Sequence, residues 1–129
     1  MDQSNFLKIF LDVNTFIDVI ELRDEAFATC LIDKSIFISA YSMQVLSYIY
    51  KYKIPEEKLS LIPTRFNLIF SDSKIVAKAL LGPTEDFEDN IQLHSAVEAA
   101  CDVFLTRDKE LLKMGYFGKT RLAADLAFS

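Results

Sequence analysis

The chain has 129 residues, of which 51% are hydrophobic, with eleven phenylalanines, and its formal net charge is −5. Such apolar content excludes a disordered chain and suits one domain, residues 1–129, with one core. No apolar run approaches the ~18 residues of a membrane span, and an acidic chain gains little general affinity for nucleic acid.

The start of the chain carries no basic region followed by a long apolar stretch, so no signal peptide is read and a cytoplasmic location is expected. Cys30 and Cys101 have neither CxxC spacing nor a histidine cluster beside them, which argues against zinc and for buried free thiols. The single histidine, His94, falls in a predicted helix without a partner motif and reads as structural.

Phe6 to Leu11 is a short apolar run ending at Asp12 and is predicted as the first strand, buried on both faces. Thr15 to Leu22 follows as a helix with Asn14 as its cap, and a further helix is expected over Glu25 to Ile32. Ser35 to Ser39 reads as the second strand and Ser42 to Tyr50 as a helix. Pro55 suits the first turn of the next helix, running to Thr64 or Phe66 with Pro63 disturbing it late. Asn67 to Phe70 is the third strand; Ser71 or Asp72 caps Ser73 to Leu81, and Gly82-Pro83 stops it. A longer helix spans Phe87 to Ala100, followed by a fourth strand at Val103 to Thr106. Asp108 opens a short helix, Lys109 to Lys113; Gly115 to Gly118 reads as loop and Thr120 to Leu122 as a short edge strand. Strands alternating with helices imply an α/β fold, three layers α/β/α around a central parallel sheet of four to five strands.

Acidic residues recur where strands hand over to helices: Asp12, Asp72, the group Asp86, Glu88 and Asp89, and Asp108. Any one of them is explained well enough as a helix cap. In a parallel sheet, however, strand carboxyl ends share one crevice, so Asp12, Asp89 and Asp108 can converge there. Three carboxylates about 4 Å apart repel by roughly 4 kcal/mol per pair at an effective dielectric near 20, and such a group retains a proton or attracts a cation. Hard oxygen donors suit Mg²⁺ or Mn²⁺, which can polarise a phosphoryl oxygen and activate water. A receiver domain would need paired acids after the first strand, and a haloacid-dehalogenase-type phosphatase Asp-x-Asp; Asp12-Val13-Asn14 supplies neither.

Leu11-Asp12-Val13-Asn14-Thr15-Phe16-Ile17-Asp18 resembles the opening motif of PIN domains. Asp86-Phe87-Glu88-Asp89-Asn90-Ile91-Gln92, with Ala99 to Lys109 behind it, resembles their second signature block. The resemblance spans nearly the whole chain and implies a Mg²⁺- or Mn²⁺-dependent endoribonuclease acting on RNA, many small members being VapC-type toxins held by an antitoxin. It implies metal-binding roles for Asp12, Asp89 and Asp108 and supporting roles for Asn14 and Thr106. Asp18 matches an often acidic position that reads equally as surface, while Asp86 and Glu88 border the motif. Where PIN nucleases usually carry a Glu on the helix after the second strand, this chain has Gln44 or Val45. Gln44 could still bind through its amide oxygen. Three readings follow: a one-metal nuclease, a weak nuclease, or a binding module that keeps the fold without the chemistry.

Arg107 and Lys109 flank Asp108 and are placed to contact a substrate phosphate. Lys51, Lys53, Lys58 and Arg65, with Tyr48, Tyr50 and Tyr52, form either an RNA-binding rim or, as the better reading, a solvated face. The aromatic content suggests a homodimer or a partner covering an apolar patch.

Overall fold

The structure, a computed structural model, describes residues 6–21, 29 and 31–126. Six strands form one sheet in the order β3-β2-β1-β4-β6-β5: β1 Lys8–Leu11, β2 Ser35–Ser39, β3 Asn67–Ile69, β4 Val103–Leu105, β5 Tyr116–Phe117 and β6 Thr120–Ala123. All neighbouring strands run parallel except β5 and β6. The helices among the described residues are α1 Val13–Ile20, α2 Ala40–Tyr50, α3 Glu57–Ser60, α4 Ile62–Arg65, α5 Ser73–Ala79, α6 Phe87–Glu98 and α7 Lys109–Leu112. Among those residues no helix is long and apolar enough to cross a membrane.

The strand period of two sorts the core into layers. Ile9 and Leu11 of β1, Ile38 of β2, and Val103 and Leu105 of β4 pack on one face with Phe16 and Ile17 of α1 and Leu46 of α2. The intervening Phe10 and Phe104 point to the other face, against Leu93 and Ala96 of α6 and Leu111 of α7. Phe10 and Phe104 are register partners, and their rings stack with centroids 5.3 Å apart. Burying such a side chain contributes about 1.5–3 kcal/mol, so both layers are firmly tied to the central strands. This is the three-layer α/β/α arrangement expected, with more strands than the four to five anticipated.

Several boundaries differ from expectation. The cap of α1 is Asp12, not Asn14: its Oδ1 accepts from the Thr15 N–H at 2.8 Å, and the helix starts at Val13. Pro55 precedes the next helical segment; Glu56 caps α3 by accepting from the Leu59 N–H. Pro63 falls in the first turn of a separate helix, α4, because a residue without an N–H is tolerated at a helix start and not inside one. Thr120 to Leu122 is not an edge strand. β6 lies between β4 and β5, and the expected loop Gly115 to Gly118 contains β5, which turns back through Gly118 at φ 62°. A two-residue strand carries too little alternation to be seen in sequence. The expected helix Glu25 to Ile32 falls mostly outside the described residues, as does Cys30; Leu31 and Ile32 lie in a turn.

Candidate active site

The pairing of β1 with β4 brings two strand ends together. Leu11 registers with Leu105, and the Asp12 N–H extends the ladder by donating to the Leu105 carbonyl at 3.1 Å. Asp12 therefore sits beside Thr106, itself fully buried with its N–H donating to the Ala123 carbonyl at 3.0 Å. The Thr106 hydroxyl accepts from the Asp108 N–H at 3.1 Å, and Asp108 Oδ1 caps α7 by accepting from Glu110 N–H at 2.8 Å and Leu111 N–H at 3.3 Å. The third acid arrives from α6: Asp86 caps that helix by accepting from the Asp89 N–H at 2.9 Å, which fixes Asp89 in the first turn.

Asp12, Asp89 and Asp108 all line one cleft of about 310 Å³, together with Asn14, Asp18, Glu88, Gln92 and Arg107. The caps formed by Asp12 and Asp108 use one oxygen each, and a carboxylate has a second oxygen with its own lone pairs. Capping and a site role are therefore compatible. Asp89 carries the clearest electrostatic signal: its carboxyl is pushed up to about 6, first by burial and then by the charges of Asp86, Asp108, Glu88 and Asp12. Four carboxylates act on one proton. Among the described residues, the sole basic side chain lining the cleft is that of Arg107, whose Nη1 lies 3.5 Å from Asp18 Oδ2.

The donor set suits a hard divalent cation: carboxylate oxygens, a local excess of negative charge, and an unpartnered amide oxygen on Gln92. The side chains are not gathered into a cage, and among the described residues no group of three His, Cys, Asp or Glu is arranged so that it could hold a metal ion. The donor chemistry of the lining fits such a cation.

Three candidates do not line the cleft: Thr106, which is fully buried, Gln44 and Lys109. Gln44 is exposed and does not line it; Val45 packs against the core, so α2 contributes no oxygen from either position. Lys109 is exposed and also absent from the lining, leaving Arg107 as the phosphate candidate. Gln92 is the residue missed from sequence; its only signal is its place three residues after Asp89, on the same helix face. His94 Nε2 lies 2.9 Å from the Gly82 carbonyl, and burial pushes the Cys101 thiol up to about 12, so both read as structural. In the basic stretch, Lys58 donates to Glu21 and Tyr52, and Tyr50 and Tyr52 pack against the core, while Tyr48 is exposed.

A second, more apolar trough of about 620 Å³ adjoins the cleft, sharing Glu88 with it and lined by Tyr41, Val76, Phe87 and Ile91. The Tyr41 hydroxyl donates to Glu88 at 3.4 Å, and that neighbouring charge, ahead of burial, raises its ionisation above the ordinary tyrosine value.

No family model matches the chain, and no curated protein matches it in sequence. Solved structures do. A chain of the VapBC2 complex of Rickettsia felis, bound to a DNA fragment from their promoter, superposes with a TM-score of 0.65 at 17% identity, covering 91% of this chain and 98% of that one. VapC20 of Mycobacterium tuberculosis, a toxin that cleaves the Sarcin-Ricin loop, gives 0.63 at 12% identity over 88% of this chain and 98% of that one. The chain has a VapC-type PIN fold. FitAB bound to an IR36 DNA fragment is a further match, with a TM-score of 0.56 at 17% identity over 79% and 86% of the two chains. At such identities the PIN likeness concerns the fold, and the site must be argued from its own residues.

Proposed function

We propose that this chain is a Mg²⁺- or Mn²⁺-dependent endoribonuclease that hydrolyses RNA phosphodiesters, and that it is the toxin of a toxin–antitoxin pair. The observation that carries this reading is the convergence of Asp12, Asp89 and Asp108 on one cleft, where burial and then the acidic neighbours push the Asp89 carboxyl up to about 6. The VapBC2, VapC20 and FitAB likenesses support the toxin assignment and an antitoxin partner.

Asp12, Asp89 and Asp108 would hold the cation. When bound, such a cation lowers the pKa of water and polarises a phosphoryl oxygen. The remaining work falls to the protein. Thr106 fixes the backbone of Asp108 through its hydroxyl, and the Asp12 N–H bond to Leu105 fixes the other strand end. Asp18 orients the Arg107 guanidinium, which offsets phosphate charge in a protein whose net charge is otherwise −5. Asn14 lies on the exposed rim of the cleft, where its amide would meet groups bound at the acids. Tyr41 and Phe87 in the adjoining trough offer exposed rings on which unpaired bases can stack.

A second reading, a PIN-like module that is weak or inactive and acts through binding, is favoured by one observation: α2 brings no carboxylate to the cleft. Incubation of a labelled RNA pool with Mn²⁺, an EDTA control and purified Asp89→Asn separates the two. Cleavage by the natural sequence alone, abolished by EDTA, is expected; cleavage equal in Asp89→Asn, or none at all, contradicts the nuclease reading.

A further inference from the structure

Gln92 is 2% exposed, and its Oε1 is a buried side-chain atom without a hydrogen-bond partner among the described residues. Buried amide oxygens in native proteins find a donor, an ordered water or an ion, and one left alone is costly. This one belongs to a side chain lining the cleft of Asp12, Asp89 and Asp108. Asp89 and Gln92 stand three residues apart on α6, so the helix presents both to the same space. The three acids offer no donors in their ionised state, and the Arg107 guanidinium is drawn toward Asp18. What the amide oxygen lacks is a hydrogen-bond donor or a cation.

We propose that Gln92 supplies a neutral oxygen donor to the divalent cation bound by Asp12, Asp89 and Asp108, replacing the acid that α2 fails to contribute. The assignment rests on the metal-site reading above and deepens it. An amide oxygen is a common ligand for hard cations, and a neutral fourth donor avoids adding charge to a cleft already crowded with carboxylates. It also makes the site weaker than one with a fourth carboxylate, since affinity rises with ligand charge. The apolar neighbours of Gln92 on α6, Ile91 and Leu93, are themselves buried, so the helix that carries the amide is firmly anchored.

Mn²⁺ titration followed by electron paramagnetic resonance tests this without reference to activity. The natural sequence, Asp89→Asn, Gln92→Met and Gln92→Glu are compared, with thermal unfolding in EDTA as the control for folding. Gln92→Met keeps the length of the side chain, so its unfolding temperature in EDTA should equal or exceed that of the natural chain, while its Mn²⁺ affinity falls about tenfold or more. Gln92→Glu should bind Mn²⁺ more tightly than the natural chain. Should Gln92→Met, folded, bind Mn²⁺ as the natural chain does while Asp89→Asn does not, the role of Gln92 is overturned and the metal site stands. Absence of Mn²⁺ binding by the natural chain overturns both.

Discussion

The two ends of the central strands use the same residue types to opposite effect. At the amino end, Asp102 accepts from the Lys8 N–H at 2.9 Å, the Lys8 ammonium donates to the Ala99 carbonyl, and the buried Thr120 hydroxyl donates to the Cys101 carbonyl at 2.8 Å. Each of these polar groups has a partner of the right kind. At the carboxyl end, Asp89 faces four other acids and Gln92 holds a buried oxygen with no donor. Satisfied polar groups stabilise a fold; a crowd of like charges costs stability and persists where something binds. The contrast supports the proposal that the carboxyl end is the working end.

The largest expected effect is at Asp89. Asp89→Asn should reduce Mn²⁺-dependent RNA cleavage at least ~100-fold in a fluorescent cleavage assay while leaving the circular dichroism spectrum unchanged. Thr120→Val at the opposite end should do the reverse. It leaves the Cys101 carbonyl without its donor and lowers stability by about 1–3 kcal/mol in urea titrations, with Mn²⁺ binding unaltered. A loss of Mn²⁺ binding in Thr120→Val would break the contrast.

The same Asp89→Asn substitution sharpens it by stability. The carboxyl of Asp89 in the fold sits at about 6, above its value near 4 in an unfolded chain. The native state therefore holds the proton more tightly, and its ionisation destabilises the fold. That cost is absent below about pH 4, grows between 4 and 6, and is complete above 6. In EDTA at pH 7, Asp89→Asn should thus be the more stable chain by ~1 kcal/mol after allowance for solvent screening, with the gain vanishing near pH 3.5 in a series of thermal melts. The smallest effect is expected at Arg107. Its half-exposed contact with Asp18 contributes under about 1 kcal/mol, so Arg107→Ala should leave stability nearly unchanged and raise KM for RNA more than it lowers kcat.

Much of this was legible in the chain because the relevant signals are local. Asp12 and Asp108 each follow an apolar run short enough to be a buried strand, and strand ends in a parallel sheet share an edge, so the two acids could be expected to meet if those strands were neighbours, as β1 and β4 are. The cap of α1 was misplaced by two residues, since Asp12 and Asn14 are equally good caps and only the turn geometry separates them. β5 was invisible: two residues carry no period, and its pairing with β6 depends on the turn at Gly118. Gln44 was expected near the site because PIN nucleases usually carry a Glu at Gln44 or Val45, but Gln44 is exposed and Val45 packs against the core. Gln92 gave no sequence signal as a polar group, because a glutamine inside a helix is most often solvated; its burial emerges only from α6 lying against the sheet.

The central claim is that the acids at the carboxyl end await a cation, and carbon-13 NMR of the Asp89 carboxyl reads it most directly. Titrated without metal, Asp89 should show a midpoint near 6, falling below the ordinary carboxylate range when Mg²⁺ is added to saturation. A midpoint near 4 without metal, unmoved by Mg²⁺, would contradict the account.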